Sequence, residues 1–211
     1  MPHERQEIDE ELLQQAARIL RDGGLVAYPT DTVYGLAADP ANAEAVGKLS
    51  EAKNRDPSQP MPHLIANTEM AASVAAEVSS AARDLMRAFW PGGLTIILYK
   101  AQSSASGAAA GTIGLRVPDH PVPRELSRLL SGPIMGTSAN IAGGPEPLSA
   151  DDVRRALGDA VDLIIDGGPC HGDRPSTVID CTKEPPKIVR LGAISREEIE
   201  DVLGRKVAVD D

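Results

Sequence analysis

Aromatic side chains are scarce in this chain of 211 residues: Phe89, Trp90 and three tyrosines make up 2% of it. Base stacking, on which single-strand nucleic-acid binders depend, has little to work with. Positive charge is short as well, with 21 Lys and Arg against 31 Asp and Glu and a formal net charge of -10. No global field therefore draws the chain to nucleic acid or to an anionic membrane, and any tRNA contact would be local and weak. The two cysteines, Cys170 and Cys181, form no CxxC pair. No apolar run approaches the roughly 20 residues of a membrane span or the core of a signal peptide. These absences predict a soluble protein of the reducing cytoplasm. Neither GxxxxGKS, GxxxxGKT nor GxGxxG occurs, so a nucleotide site here is built neither on a P-loop nor on a Rossmann turn.

What is present is a chain long enough to bury a core without staples, read as one domain over residues 1–205 with a C-terminal tail, 206–211. Leu12, Leu13, Ala16, Ile19 and Leu20 recur at helical spacing after Asp9, a fitting N-cap, and Gly23-Gly24 stops the run before a strand over Leu25–Tyr28. Asn42 caps a helix through Ala52, which delivers Lys53 and Arg55 to the loop beyond it. Further strands are predicted over His63–Ala66, Leu94–Tyr99, Thr112–Val117, Ile134–Thr137, Val161–Asp166, Thr177–Cys181 and Ile188–Arg190. Helices are predicted over Thr68–Glu77, Ala81–Phe89, Pro121–Leu130, Ser149–Leu157 and from the Ser195/Glu198 capping box to near Gly204. Ala101–Gly111, almost wholly Ala, Ser and Gly, reads as a mobile surface loop. Strands that sometimes follow one another without an intervening helix predict an α/β fold, a twisted open mixed sheet with flanking helices.

The chemistry-bearing residues sit at strand and loop junctions. Tyr28-Pro29-Thr30-Asp31-Thr32-Val33-Tyr34-Gly35 is a Pro-stiffened turn crowded with hydroxyls straight after a strand, where α/β proteins place ligand crevices. Arg116 shares the strand face of Thr112 and Gly114, and could pair with an internal carboxylate such as Asp119 or hold a ligand carboxylate through its fork. Arg190 ends an apolar strand. Thr137-Ser138-Ala139-Asn140 is a strand exit rich in donors, either an ordinary turn or a nest for phosphate and ribose oxygens. Cys170-His171 offers no second Cys/His pair at metal-ligand spacing, and His63 and His120 read as structural.

Taken in order, these motifs resemble the YrdC-like family of threonylcarbamoyl-AMP synthases. The match runs from about Gly24 to Gly192, through Tyr28–Leu36, Lys53-x-Arg55, Phe89-Trp90-Pro91-Gly92, Leu115–Pro118 with His120-Pro121, Ser138-Ala139-Asn140, Asp166-Gly167-Gly168, Ser176–Asp180 and Arg190-x-Gly192. The resemblance implies a synthase that joins L-threonine, bicarbonate and ATP into threonylcarbamoyl-AMP and pyrophosphate. Downstream threonylcarbamoyl-transferase proteins then modify tRNA adenosine. It implies that Thr32, Arg116 and Ser176 hold threonine. Lys53, Arg55, Gln59, Thr112, Thr137, Ser138, Asn140 and Arg190 would surround ATP, with Lys53 and Arg55 catalytic. Mg2+ would enter with ATP, without a metal site of the protein's own.

The chain departs from the family pattern at three places. Asp56–Met61 replaces the usual residues after Arg55, with Gln59 in an ATP position; His63 stands one place before a family histidine that aligns with Leu64; and Ala142 and Glu146 stand where serines are common. Two other readings make distinct predictions. A double-stranded RNA or tRNA-binding module would bind tRNA with steep salt dependence and no ATP turnover. A carbamoyltransferase domain would use carbamoyl phosphate in place of threonine and bicarbonate.

Overall fold

A computed structural model of the chain describes residues 9–56, 59–101, 111–170, 172 and 174–209. The first helix, α1 (Glu10–Arg21), is capped by Asp9, whose side chain accepts from the Glu11 amide, and its buried stripe is Leu13, Ala16, Ala17 and Leu20. Strand β1 (Val26–Tyr28) follows. β2 (Gly35–Ala38) comes next, and the sequence did not suggest it, because Gly-Leu-Ala-Ala has little β-propensity. Its place is set by antiparallel neighbours on both sides, β1 and β6 (Ile134–Ser138). α2 (Ala43–Ala52) is capped by Asn42 as expected. β3 is the short His63–Leu64.

α3 (Thr68–Val74) ends three residues before the expected Glu77, because Ala75 turns extended and bridges to Lys100. α4 (Ser80–Phe89), β4 (Leu94–Tyr99), β5 (Thr112–Arg116) and α5 (Pro121–Leu129) follow. His120 caps α5, its Nδ1 accepting from the Val122 amide at 3.3 Å. The loop expected over Ala101–Gly111 falls almost wholly outside the described residues. α6 (Ala150–Leu157) starts at a Ser149/Asp152 capping box. β7 is only Leu163–Ile164. β8 (Thr177–Asp180), β9 (Lys187–Arg190) and α7 (Arg196–Leu203) complete the expected set. Besides β2, a further strand was not expected: Ala208–Val209, read as tail, forms β10 and pairs in parallel with β9, while Val207 is buried against the core. A two-residue edge strand has too little pattern to be read from sequence.

Among the described residues the strands form one mixed sheet, ordered β10-β9-β8-β4-β5-β3-β6-β2-β1-β7. Register decides what each face does. Leu115, His63 and Met135 are cross-strand partners and share the face covered by α2 and α6 on one half and by α3, α4 and α7 on the other. Arg116, Leu64 and Ile134 are partners on the opposite face. There α1 and α5 pack over Val26, Leu64 and Ile134, but no described helix lies over Thr95, Ile97, Gly114 or Val178. Half of one sheet face is therefore left open, and it is the half that carries Arg116.

Candidate active site

That open half-face floors a cavity of about 700 Å³ bordered by Thr32, Lys53, Arg55, Gln59, Thr112 and Arg116, and also by Thr137, Ser138, Asn140, Ser176 and Arg190. Every residue that the resemblance assigned to threonine or ATP thus borders one space, although they come from positions 32 to 190. The volume lies within the roughly 300–1,000 Å³ of small-molecule sites.

Arg116 is buried and its guanidinium is spread over three partners. Nε donates to Gly92 O at 2.9 Å, Nη1 to Thr32 Oγ1 at 3.1 Å and Nη2 to Asp31 Oδ1 at 2.6 Å. The internal carboxylate is thus Asp31, from the turn after β1. The sequence suggested Asp119, whose backbone amide instead donates to Asp31 at 3.1 Å. Arg has five N–H donors, so two remain for a ligand. Thr30 holds the turn in shape: its Oγ1 accepts from the Thr32 amide, donates to Val33 O and lies 3.0 Å from Thr32 Oγ1.

At the other strand exits the pattern differs. Lys53 Nζ donates to Ser138 O at 2.6 Å, Asn140 O at 2.7 Å and Asn140 Oδ1 at 3.1 Å, which uses all three ammonium protons. Asn140 Nδ2 donates to Gly144 O and Pro145 O, each at 2.9 Å, and its Oδ1 also accepts from Ser138 Oγ at 2.7 Å. Lys53 therefore fixes the Ser138–Asn140 turn and has no proton left for a phosphate in this structure. Its pKa falls to about 8, through burial first and then the Arg55 charge, with Glu146 opposing. Thr137 pairs with buried Leu36 and Ser138 with Gly35, so strand alternation sends their side chains to opposite faces.

Arg55 and Arg190 keep donors in reserve. Arg55 Nη2 donates to Pro60 O at 3.1 Å, but its buried Nε has no partner. Arg190 Nε and Nη2 bind Ser176 O at 3.2 and 2.8 Å. Its pKa is pulled down by burial, with Glu146 opposing and Arg116 and Arg55 adding. The described residues leave buried side-chain atoms without a partner at Tyr28, Arg55, His63 and Glu146, and all four residues border this cavity. Buried polar groups are normally paired, so the orphans of Arg55 and Glu146 beside the cavity mark a place shaped for a polar ligand, while the His63 ring belongs to the other face of the sheet.

Two cavity residues escaped the sequence reading as ligand groups, Thr95 and Glu146, and so did Asp31 as the partner that holds Arg116. Thr95 looked like any strand residue and Glu146 like a loop acid, since nothing local says which face or wall they join. His63 is 1% exposed and neither ring nitrogen has a partner. Burial, then Lys100, lowers its pKa to about 4, with the Met61 backbone opposing. Its register with Leu115 and Met135 turns it away from the face of Arg116, which Leu64 shares. Cys170 is buried and its thiol is pushed up by burial, so it is a poor nucleophile; His171 lies outside the described residues. No described helix is long and apolar enough to cross a membrane.

Comparison with known proteins gives this arrangement a context. The Sua5/YciO/YrdC family model, described as "Telomere recombination", matches residues 18–192. A relative from Mycobacterium tuberculosis is 40% identical over 191 residues, covering 90% of this chain and 88% of its own. The Bacillus subtilis threonylcarbamoyl-AMP synthase is 40% identical over 195 residues, 91% of this chain and 56% of its own. The crystal structure of Pyrococcus abyssi Sua5 complexed with L-threonine superposes with a TM-score of 0.91 at 38% identity, over 98% of this chain and 61% of that one. The chain thus spans a little over half the length of the Bacillus subtilis protein and about three fifths of the Pyrococcus abyssi one. With a family match over most of its residues and the same fold beneath the cavity, this chain belongs to the Sua5/YciO/YrdC family.

Proposed function

We propose that this chain is an L-threonylcarbamoyladenylate synthase, a nucleotidyltransferase that converts L-threonine, bicarbonate and MgATP into threonylcarbamoyl-AMP, pyrophosphate and water. Its product feeds the transferase proteins that modify tRNA adenosine. The observation that carries the reading is one cavity holding an amino-acid-sized polar cluster, Arg116 with Thr32 and Ser176, together with unspent guanidinium donors on Arg55 and Arg190. The relatives' names and the threonine complex of the archaeal structure point the same way.

In this reading the threonine carboxylate takes the two remaining N–H groups of Arg116, as a charge-assisted pair. The threonine amine adds to CO2 from bicarbonate and becomes a carbamate. A carbamate oxygen then bonds to the α-phosphorus of ATP as the bond from that phosphorus to the bridging oxygen breaks, and pyrophosphate leaves with the electron pair. The protein holds two anions in line and stabilises the charge that grows on the leaving group. Arg55 and Arg190 do this directly. Lys53 acts through the Ser138–Asn140 turn that it holds, and Gln59, Thr112 and Thr137 border the nucleotide. Mg2+ travels with the nucleotide and neutralises phosphate charge. In this reading phosphates and water would be its ligands.

The test is turnover. Purified protein with ATP, bicarbonate and labelled threonine should release pyrophosphate only when threonine is present and yield a labelled adenylate. A folded sample that gives neither, or that accepts carbamoyl phosphate in their place, rejects the proposal.

A further inference from the structure

Beside Arg116 the open sheet face carries a second polar feature. Thr95 and Ser176 are 1% and 4% exposed, yet both border the cavity. Their hydroxyls lie 2.9 Å apart, and Ser176 Oγ also accepts from Arg190 Nη2 at 3.3 Å. The β4/β5 ladder pairs Ile96 with Leu115, and one further step sets Thr95 opposite Arg116. Its neighbour on the other side is Val178. Thr95 thus stands on the ligand face one strand away from Arg116, their Cβ atoms about 5 Å apart across the ladder.

The protons decide what this pair can do. Two hydroxyls bring two protons, the bond between them uses one, and Arg190 can only donate. Whichever way the pair is oriented, one buried O–H has no acceptor among the described residues, and such a group costs free energy until a ligand satisfies it. The wall beside the pair is short and apolar: a Cβ at Gly114 would meet Thr95 Cγ2 at 3.4 Å and Ile97 Cγ1 at 3.8 Å. On the far side of Arg116 stands Leu64, which offers only hydrocarbon.

We propose that Thr95, backed by Ser176, reads the side-chain hydroxyl of the amino acid whose carboxylate Arg116 takes, and so selects threonine over its isostere valine. The inference rests on the synthase reading above and assigns Thr95 a task that this reading leaves open. An amino acid held by its carboxylate on Arg116 brings its side chain within one strand spacing of the unspent O–H. A branched side chain without the hydroxyl fits the same space but leaves that O–H unpaired. A site that hydrogen-bonds a substrate hydroxyl rejects the analogue lacking it for this reason.

The experiment compares threonine with valine in pyrophosphate release by the full chain, for wild type, Thr95→Val and Thr95→Ser. Wild type should prefer threonine strongly. Thr95→Val, which keeps the volume, should lose the threonine-over-valine ratio of kcat/KM by about tenfold or more with KM for ATP unchanged, and Thr95→Ser should recover most of it. An unaltered ratio in Thr95→Val, or equal losses toward threonine and ATP, overturns the assignment. If Thr95→Val does not fold, the Ser variant decides: it must keep a threonine Kd near wild type by calorimetry, and a loss as large as tenfold counts against the hydroxyl. A wild type with no threonine-dependent pyrophosphate fails at the earlier step, which distinguishes loss of the synthase reading from loss of this one.

Discussion

Replacing His63 with leucine should make the protein less sensitive to acid without weakening it at neutral pH. The ring is 1% exposed, both nitrogens lack partners, and its pKa drops from 6.5 to about 4. A folded value below the unfolded one means that the folded state prefers the neutral ring. The stability contributed by this preference is complete above pH 6.5, falls as pH drops below it, and is gone below about 4. The difference between the two values corresponds to roughly 3 kcal/mol, of which about 2 to 3 should be lost between pH 7 and 4.5.

The variant should show this loss removed, with stability at pH 7 equal to wild type or about 1 kcal/mol higher, because two orphaned polar atoms are replaced by hydrocarbon of similar size. Urea unfolding of both proteins at a series of pH values reads the difference directly. The wild-type minus variant curve isolates His63 from the acidic groups, which both proteins share. If that difference is flat from pH 7 to 4.5, the ring is not held neutral by burial and the reasoning is refuted. A variant that collapses at pH 7 would show instead that the nitrogens are paired in solution.

Four further outcomes follow from the site. Arg116→Ala should weaken threonine binding about 10- to 100-fold, as expected for lost charge-assisted bonds, with ATP affinity within a few-fold; calorimetry showing equal losses would contradict its role. Lys53→Met removes the donor shared by Ser138 O, Asn140 O and Asn140 Oδ1, of which the last keeps Ser138 Oγ, so kcat/KM for ATP should fall at least 100-fold, about the worth of two such bonds. In wild type the same lysine predicts an alkaline decline near pH 8, since deprotonation removes one of its three donors; a profile level to pH 9.5 argues against it. At Gly192 an added Cβ would lie 2.1 Å from Pro175 O and 2.7 Å from the Ser176 carbonyl carbon. Gly192→Ala should therefore cost about 1–3 kcal/mol in urea unfolding and raise KM for threonine by displacing Ser176, and unchanged values of both would refute the packing argument.

Much of this protein is written locally. Asp9, Asn42, Ser149 and Ser195 announce their helices because a capping side chain acts within three residues of itself, and β4 and β5 show themselves by alternation. β2 and β10 do not, since Gly35–Ala38 and Ala208–Val209 are strands only by virtue of the neighbours that pair with them. The residue types of the site were legible too: hydroxyls after β1, cations at loop junctions, and a Ser-Ala-Asn exit.

What each of those side chains does was decided by tertiary structure. Lys53 looked like a phosphate ligand, but carbonyls from 85 to 87 positions away take its protons. Arg116 could have chosen Asp119, three residues on, and instead meets Asp31, brought in by the pairing of distant strands. Thr95 became a ligand-facing group only when β4 was set beside β5 with its alternate residues on the uncovered half-face. The sequence by itself determined which elements form and which functional groups are available, because propensity, capping and alternation act over a few residues. Only the fold decided which donors are consumed and which are left for a ligand, because hydrogen-bond satisfaction depends on partners that the chain brings together from far apart.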